Sequence, residues 1–424
     1  MFKQDVYEYT SARSGEMTIE EERNDASKSK MEIKHIGVTD DGFEYGVSGS
    51  HYFITGYVGK KKKIVLPDTI EGHRYSIGRK AFMLYDRMTT LVIPDSVLSI
   101  GEGAFSSCRN LKELTLPVSI DAVASNKLPA FGNCKRITKI TFTRGDGHYF
   151  GYRIGLTEVF SEYNGEANTP WVISGEALKE IYLPSDIDYL GEWLHRSLPS
   201  LEKIMVRDSR GHLTSCDGVL FDDGQRVLVR YPERKTGTFF EIPDDCEYMC
   251  DGAFRGCSEL DEISIPESIT DLGWGVFREC SNLKTVRLPQ KIERIPSFAF
   301  YGCTGLEYVK MPDDLHIISD EAFNGCSSLV SAEIPQSVSD IGYKAFAGCE
   351  SLVNVILPDN VSVGKYAFSE CTGIRILEIP QNVSLDSQAF EGISFCDADG
   401  IALSENELNG HTFVGQDGNM RMIR

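Results

Sequence analysis

The groups in this chain best able to do chemistry are its sulfurs and imidazoles, and their spacing decides what kind. It holds twelve cysteines and eight histidines. Eight of the cysteines, Cys108, Cys134, Cys257, Cys280, Cys303, Cys326, Cys349 and Cys371, each stand three residues after a phenylalanine. A thiol that keeps step with an aromatic residue reads as a core side chain, because buried free cysteine packs as a small hydrophobe. A bridge between neighbouring thiols would need their Cβ vectors turned toward each other. The histidines, His35, His51, His73, His148, His195, His212, His316 and His411, are scattered. None sits in an HExxH or Cys-x-x-Cys…His spacing, so no zinc site is expected.

Other near-motifs fail on context. Cys246 and Cys250, four residues apart, read as variants of the repeat instead of metal ligands. Gly145-Asp146-Gly147 with Gly151 lacks the strand-to-helix setting of a phosphate loop. Asp397, Asp399 and Gly400 with Glu405 brush against a calcium loop, but the glycine falls at the fourth position where the sixth is needed, so a surface turn is expected. No Gly-x-Ser-x-Gly nucleophile setting occurs. The expectation is a protein with no catalytic residues, no metal and no cofactor.

Charge narrows the partners. Forty-three Lys and Arg against 63 Asp and Glu leave a formal charge of −20, and nucleic-acid backbones or anionic membranes need clustered cations. The run Lys60–Lys63 has no interleaved aromatic residue and reads as a solvated hairpin turn. No stretch of eighteen apolar residues suggests a transmembrane helix. The N-terminal stretch through Asp25 has no apolar h-region, so no secretory signal is expected and the chain is placed in the cytoplasm.

The elements that carry these residues follow from one period. Proline after an apolar pair recurs at Pro243, Pro266, Pro289, Pro312, Pro335 and Pro358, each 23 residues after the last. Phe254, Phe277, Phe300, Phe323 and Phe346 keep the same step, which shortens to 22 at Phe368 and Phe390. With Leu-x-x-Ile-x-Ile at its head, a period in this range predicts a leucine-rich-repeat solenoid: an α/β-type horseshoe of short strands stacked into a parallel sheet. In Leu260-x-x-Ile263-x-Ile265 the apolar residues point inward, Pro266 closes the strand, and Phe277 fills the opposite side. The polar residue two after the proline, such as Ser268 or Ser337, is expected to bond turn backbone. Gly101, Gly273, Gly342 and Gly364 are expected at tight or positive-φ bends.

The chain divides on this reading into a polar flexible tail (1–30), a β-rich N-terminal cap (31–65) and first repeats (66–140). An aromatic and glycine-rich insertion (141–180) and degenerate repeats with a β-hairpin at Asp223-Gly224 (181–240) follow. Regular repeats (241–391) and a C-terminal cap (392–424) complete it.

The stretch Leu329 to Cys349, LVSAEIPQSVSDIGYKAFAGC, carries a resemblance in every position that repeats. It is similar to the consensus of the BspA-like leucine-rich repeats. The segments DGFEYGVSG with IVLPDTIEGHRYSIGRKAF, FSEYNGEANTP, and DGVLFDDGQRVLVRYPERKTG resemble the same family, so the likeness runs from about residue 40 to 391. The resemblance implies a solenoid often found on bacterial surfaces or secreted, with roles in adhesion and in binding host or matrix proteins. The N-terminus without a signal peptide departs from that pattern.

Recognition on a solenoid falls to side chains that leave the strand face. One outward row is expected to hold Glu113, Glu262, Thr285, Tyr308, Ser331, Asn354 and Ile376. The other is expected to hold Thr115, Ser264, Arg287, Lys310, Glu333, Ile356 and Glu378. Among them Arg287, Tyr308 and Lys310 offer anchor types favoured at interfaces, and Ile356 and Ile376 are apolar where water is expected. These five form the candidate binding patch. Its rival is the insertion with His148, Tyr149, Phe150, Tyr152, Phe160 and Tyr163. The expected function is non-catalytic recognition of a protein, ahead of a glycan, through the concave strand face. A structural spacer or intracellular scaffold without a specific ligand is the alternative. Neither nucleic acid nor membrane insertion is expected.

Overall fold

The computed structural model describes residues 33–118, 121–122, 129–143, 175–187, 197–404, 407–416 and 419–423. The expected tail, the six aromatic residues of the insertion, and Glu405 lie outside the described residues. Two compact units emerge: Met1–Ser200 with Val206–Gly211, and Leu201–Met205 with His212–Arg424.

In the first unit the entry is antiparallel. Lys34–Val38 pairs with Phe43–Ser48, which pairs with His51–Tyr57. The turn residues Gly42 and Gly49 reverse the chain in left-handed conformations. His51–Tyr57 then hands its other edge to Tyr75–Ile77 in parallel, and Ser99–Ile100 and Asp121–Ala122 continue that ladder. The antiparallel strands close the end of a core that stacked coils would otherwise leave open. A second ladder runs in parallel through Lys63–Val65, Thr90–Val92, Glu113–Pro117, Lys139–Thr143 and Glu180–Leu183. Ile140 faces Ile181 in register although 41 positions separate them in sequence.

The second unit opens on Thr214–Cys216, Val219–Asp222 and Val227–Arg230, an antiparallel run that turns at Asp223-Gly224. Its main ladder is parallel: Phe239–Glu241, Glu262–Ser264, Thr285–Arg287, Tyr308–Lys310, Ser331–Ala332, Asn354–Ile356 and Ile376–Ile379. There His411–Gln416 joins antiparallel to Ile376–Ile379, and Asn419–Met422 and Ser394–Cys396 continue the sheet beyond it. A second ladder of two-residue strands, Arg294–Ile295, Ile317–Ile318, Asp340–Ile341, Ser362–Val363 and Ser384–Leu385, forms another wall. The remaining wall is turn. The expected repeat solenoid with parallel stacked strands is what forms. No α-helix occurs among the described residues, so turns stand where an α/β-type repeat has helices. Between the second strand and the cysteine, as over residues 342–348, left-handed residues such as Lys344 and Gly348 interrupt any helical run.

Each wall is tied to the next coil by backbone. The phenylalanine N–H donates to the following coil's alanine carbonyl, as from Phe277 to Ala299 (2.8 Å), Phe300 to Ala322 (2.7 Å) and Phe323 to Ala345 (2.7 Å). The rings stack along the same line: Phe277 on Phe300 at 5.3 Å, Phe300 on Phe323 at 5.1 Å, Phe323 on Phe346 at 5.0 Å. Proline stops the strand, and its carbonyl accepts from the residue three later, as Pro312 from Leu315 (3.2 Å). Ser268 Oγ donates to the Cys246 carbonyl at 2.6 Å, and Ser337 Oγ to the Leu315 carbonyl at 2.6 Å, each reaching one coil back.

The glycines before the phenylalanine act differently from the expectation. A Cβ on Gly273 would lie 2.3 Å from the Asp251 nitrogen, and one on Gly342 would lie 2.6 Å from that of Asp320. Their purpose is close approach of one coil's backbone to the next, not a positive φ.

Candidate binding face

Of the twelve cysteines only Cys216 is exposed, and Cys396 is half-buried; all are unbridged. In the ladder the S–H donates to the carbonyl of the preceding coil's phenylalanine, as from Cys280 to Phe254 (2.9 Å), Cys303 to Phe277 (2.9 Å), Cys326 to Phe300 (3.1 Å) and Cys371 to Phe346 (3.0 Å), while Cys257 reaches the Tyr231 carbonyl at 3.9 Å. The Phe277 carbonyl also accepts the Cys280 N–H at 3.2 Å, so both its lone pairs are used. A leucine would fill the space and leave one lone pair empty. The hydrogen-bonding role was invisible in the sequence, where the slot reads only as apolar.

Burial pushes the thiols of Cys257, Cys303 and Cys349 well above the ordinary cysteine range, and that of Cys246 up to about 11. At Cys280 desolvation is again the largest influence, opposed by the S–H groups of Cys257 and Cys303. Its sulfur has no exposure and donates to a carbonyl, so we assign the neutral thiol there too. These are structural sulfurs, poor nucleophiles and poor ligands.

The remaining near-motifs have structural explanations. Cys246 and Cys250 are both buried. Asp397 Oδ1 accepts the backbone N–H groups of Asp399 (2.9 Å) and Ile401 (2.8 Å), which makes that loop a carboxylate-braced turn. No group of three or more His, Cys, Asp or Glu among the described residues is arranged to hold a metal ion. Lys61 of the lysine run pairs with Asp41 at 2.9 Å across neighbouring loops, with both side chains exposed.

The strand face of the second unit places the five candidate residues as follows. On Thr285–Arg287 and Asn354–Ile356 the central valine is buried and both flanking side chains are exposed. Arg287 lies directly beside Lys310 in the parallel register, and Thr285 beside Tyr308. Tyr308 and Lys310 share one strand, two residues apart and on the same side, so three of the candidates form a compact group. Tyr308 is half-buried, while Arg287 is exposed and has no ion-pair partner among the described residues. Lys310 Nζ reaches Glu333 on the next coil at 3.4 Å. Both groups of that pair are largely in water, where such contacts contribute about 0–1 kcal/mol, and Lys310 remains open to a better partner.

Ile356 and Ile376 are 49% and 39% exposed, against buried inward neighbours on the same strands. They sit on adjoining strands but in different rows: Ile356 faces Glu378, and Ile376 faces Asn354 on one side and Val414 on the other. The structure therefore sets them diagonally, not side by side. Ile356, Glu378, Pro380, Gln381, His411 and Thr412 help line an open hollow of about 430 Å3 at this end of the sheet.

Reading outward strand positions passed over a second set of exposed residues, on the turn wall. Trp274 is 39% exposed and lies 5.0 Å from Phe298, with the Arg278 guanidinium over both rings and over Tyr301. Farther along, Tyr343 and Tyr366 pack edge to face at 6.0 Å. The signal available was large aromatics at the turn positions before the repeat phenylalanine, where other coils hold Ser297, Asp320 or Ser387.

Stacked coils, inward ladders and an exposed strand face define a leucine-rich-repeat solenoid. Six copies of the BspA type leucine rich repeat region match residues 75–202, 233–349 and 293–414, well over half of the chain, and the protein belongs to that family. Comparison with curated proteins finds no match. Among solved structures, the chain is similar to a leucine-rich repeat protein from Eubacterium ventriosum at 20% identity, covering 84% of this chain and 99% of that one, with a TM-score of 0.49. A leucine-rich repeat protein from Bacteroides ovatus matches at 21% identity over 86% and 93% of the two chains, TM-score 0.48. The pneumococcal vaccine antigen PcpA matches at 18% over 88% and 89%, TM-score 0.47. Proteins of this repeat family are in general non-catalytic, and the fold is in general a protein-interaction module. No helix among the described residues is long and apolar enough to cross a membrane.

Proposed function

We propose that this protein is a non-catalytic binding module that recognises a protein partner on the strand face of its second unit, through Arg287, Tyr308, Lys310, Ile356 and Ile376. The observation that carries the reading is the adjacency of Arg287 and Lys310 in one row with Tyr308 beside them. Strand positions between buried valines are free of packing duties, so their identity is available for recognition. Tyr contributes disproportionately at interfaces because a large, stiff ring loses little entropy on burial, and Arg because its planar guanidinium makes several hydrogen bonds at once. The two exposed isoleucines supply apolar area at the other end of the same ladder. Polar anchors and apolar area on one surface suit a protein better than a sugar, and the overall negative charge disfavours nucleic acid.

The test is capture from a lysate of the source cell by the immobilised full chain, repeated with an R287A/Y308A/K310A variant. Loss of specifically captured proteins from the variant supports this face. Unchanged capture removes it.

A further inference from the structure

At the end of the strand face the chain reverses, and the reversal leaves a hollow. A continuing array would lay another parallel strand beside Ile376–Ile379. Here the chain returns through Gly410, φ 80°, whose N–H donates to the Ile379 carbonyl at 2.8 Å, and His411–Gln416 runs antiparallel with Thr412 opposite Glu378. Ile356, Asp359, Glu378, Pro380, Gln381 and His411 stand around the resulting opening.

Its formal charge is of one sign. Asp359 and Glu378 are exposed, and neither carboxylate has an ion-pair partner or a hydrogen-bond donor among the described residues. Elsewhere in the column that follows the prolines, such oxygens are engaged: Glu267 Oε2 accepts the Gln290 N–H at 2.8 Å, and Gln336 Oε1 accepts the Asp359 N–H at 3.4 Å. The Asp359 carboxylate has no donor in its turn. Neither Lys nor Arg lines the opening, and the one base there is the His411 imidazole. The cations on nearby strands are directed elsewhere. Arg421 stands beside Val414 in the other outward row, and Arg375, at the far end of Ile376–Ile379, donates to the Ile374 carbonyl at 3.4 Å. Lys310 is turned onto Glu333.

We infer that this hollow seats a basic side chain of the partner, arginine ahead of lysine, whose head reaches Asp359 and Glu378 while its methylene stem rests on Ile356 and Pro380. Seating it there rests on the strand-face reading and gives the bound segment a direction. The segment's carboxylate meets Lys310 at one end and its basic residue fills the hollow at the other, three strand spacings or roughly 14 Å apart. A metal ion is disfavoured because no three His, Cys, Asp or Glu among the described residues are arranged to hold one. A guanidinium needs only two carboxylates and can meet each through separate N–H groups. The charge of −20 on the whole chain steers the same kind of occupant toward it.

The probes are fluorescein-labelled peptides titrated with the full chain and read by anisotropy. One holds a single arginine among valines and serines. A second replaces that arginine by citrulline, which keeps the shape and loses the charge. A third adds an aspartate about four residues from the arginine, to match the span to Lys310. Saturable binding of the arginine peptide is expected, weakened about fivefold or more by citrulline and by D359N/E378Q, whose thermal melt should be unchanged because both side chains are exposed. R287A/Y308A/K310A should bind the arginine peptide as before and lose the gain that the aspartate gives. Equal binding of the arginine and citrulline peptides overturns the assignment whatever the variant does, and so does unaltered binding by a folded D359N/E378Q. Displacement of the arginine peptide by calcium, but not by sodium of equal ionic strength, would give the hollow to a metal ion instead. Self-association of the chain that D359N/E378Q abolishes would give it to a second copy. Arginine-dependent binding with no gain from the aspartate supports the hollow and removes the Arg287–Lys310 end of the strand-face reading, so the two failures are told apart.

Discussion

The repeat phenylalanine makes the strongest quantitative demand on this fold, and Phe323→Ala is the substitution that isolates it. The side chain has no solvent exposure and stands between Phe300 at 5.1 Å and Phe346 at 5.0 Å, with ring planes inclined by 4° and 9°. Its backbone N–H to the Ala345 carbonyl, 2.7 Å, survives the change, so the loss is confined to the ring. Emptying a buried phenylalanine site costs about 3–5 kcal/mol. Each stacked neighbour adds about 0.5–1.5 kcal/mol beyond area, which places Phe323→Ala in the upper half of that range. Phe390 is the internal comparison. It stacks on Phe368 at 5.3 Å and meets Phe395 edge-on at 5.8 Å, two aromatic contacts of the same kind of worth, so Phe390→Ala should fall in the same range. Urea unfolding followed by circular dichroism, with the slope compared between variants, measures both. Because each coil packs only on its neighbours, a separate early transition in Phe323→Ala is consistent with the argument and reports the loss locally. A loss below about 1 kcal/mol would refute it, since no collapse of neighbouring coils recovers that much of a removed ring.

Two further outcomes test the interior. Under native conditions a thiol reagent should label Cys216 and slowly Cys396, while the ten buried cysteines react only in denaturant; rapid labelling of any ladder cysteine would contradict their assignment as neutral core groups. Arg230 and Glu233 form an ion pair of 2.7 Å with 0% and 3% side-chain exposure, and Arg230 also donates to the Gly252 carbonyl at 2.8 Å. Glu233→Gln should cost about 3–5 kcal/mol by leaving a buried guanidinium charge without its counter-ion, whereas replacing both residues by apolar ones should cost less; equal losses in a denaturant melt would mean the pair does not act as a unit.

Much of this was legible because a repeat states each packing requirement many times over. A single Phe-x-x-Cys proves little, but its recurrence from Phe105 to Phe368 leaves the interior as the one environment shared by every copy. The parallel main ladder followed from the same period. What stayed hidden depends on contacts between coils, which no single repeat displays. Gly273 and Gly342 looked like bend residues until the backbone they approach was in place. The second ladder escaped notice because strands of two residues, such as Asp340–Ile341, carry no alternation to read. The separate rows of Ile376 and Ile356 were legible in the repeat, and the register agrees, setting the two diagonally on adjoining strands.

The same logic says where a repeat protein keeps its individuality. Inward positions are fixed by packing, so variation there is costly, and outward positions can change at little cost to the fold. Arg287, Lys310, Glu333 and Ile356 occupy one outward row on consecutive coils. At about 4.8 Å per strand the row from Arg287 to Ile356 spans roughly 14 Å, the reach of about four residues of extended chain. On the proposed reading, an extended partner segment crossing the strands would place a carboxylate at Arg287 and Lys310 and an apolar side chain at Ile356. Glu333 between them, already turned toward Lys310, would reject a second carboxylate there. On that reading the strand face would select by alternation of charge and apolar surface along a single row, which ties its specificity to the order of residues in what it binds.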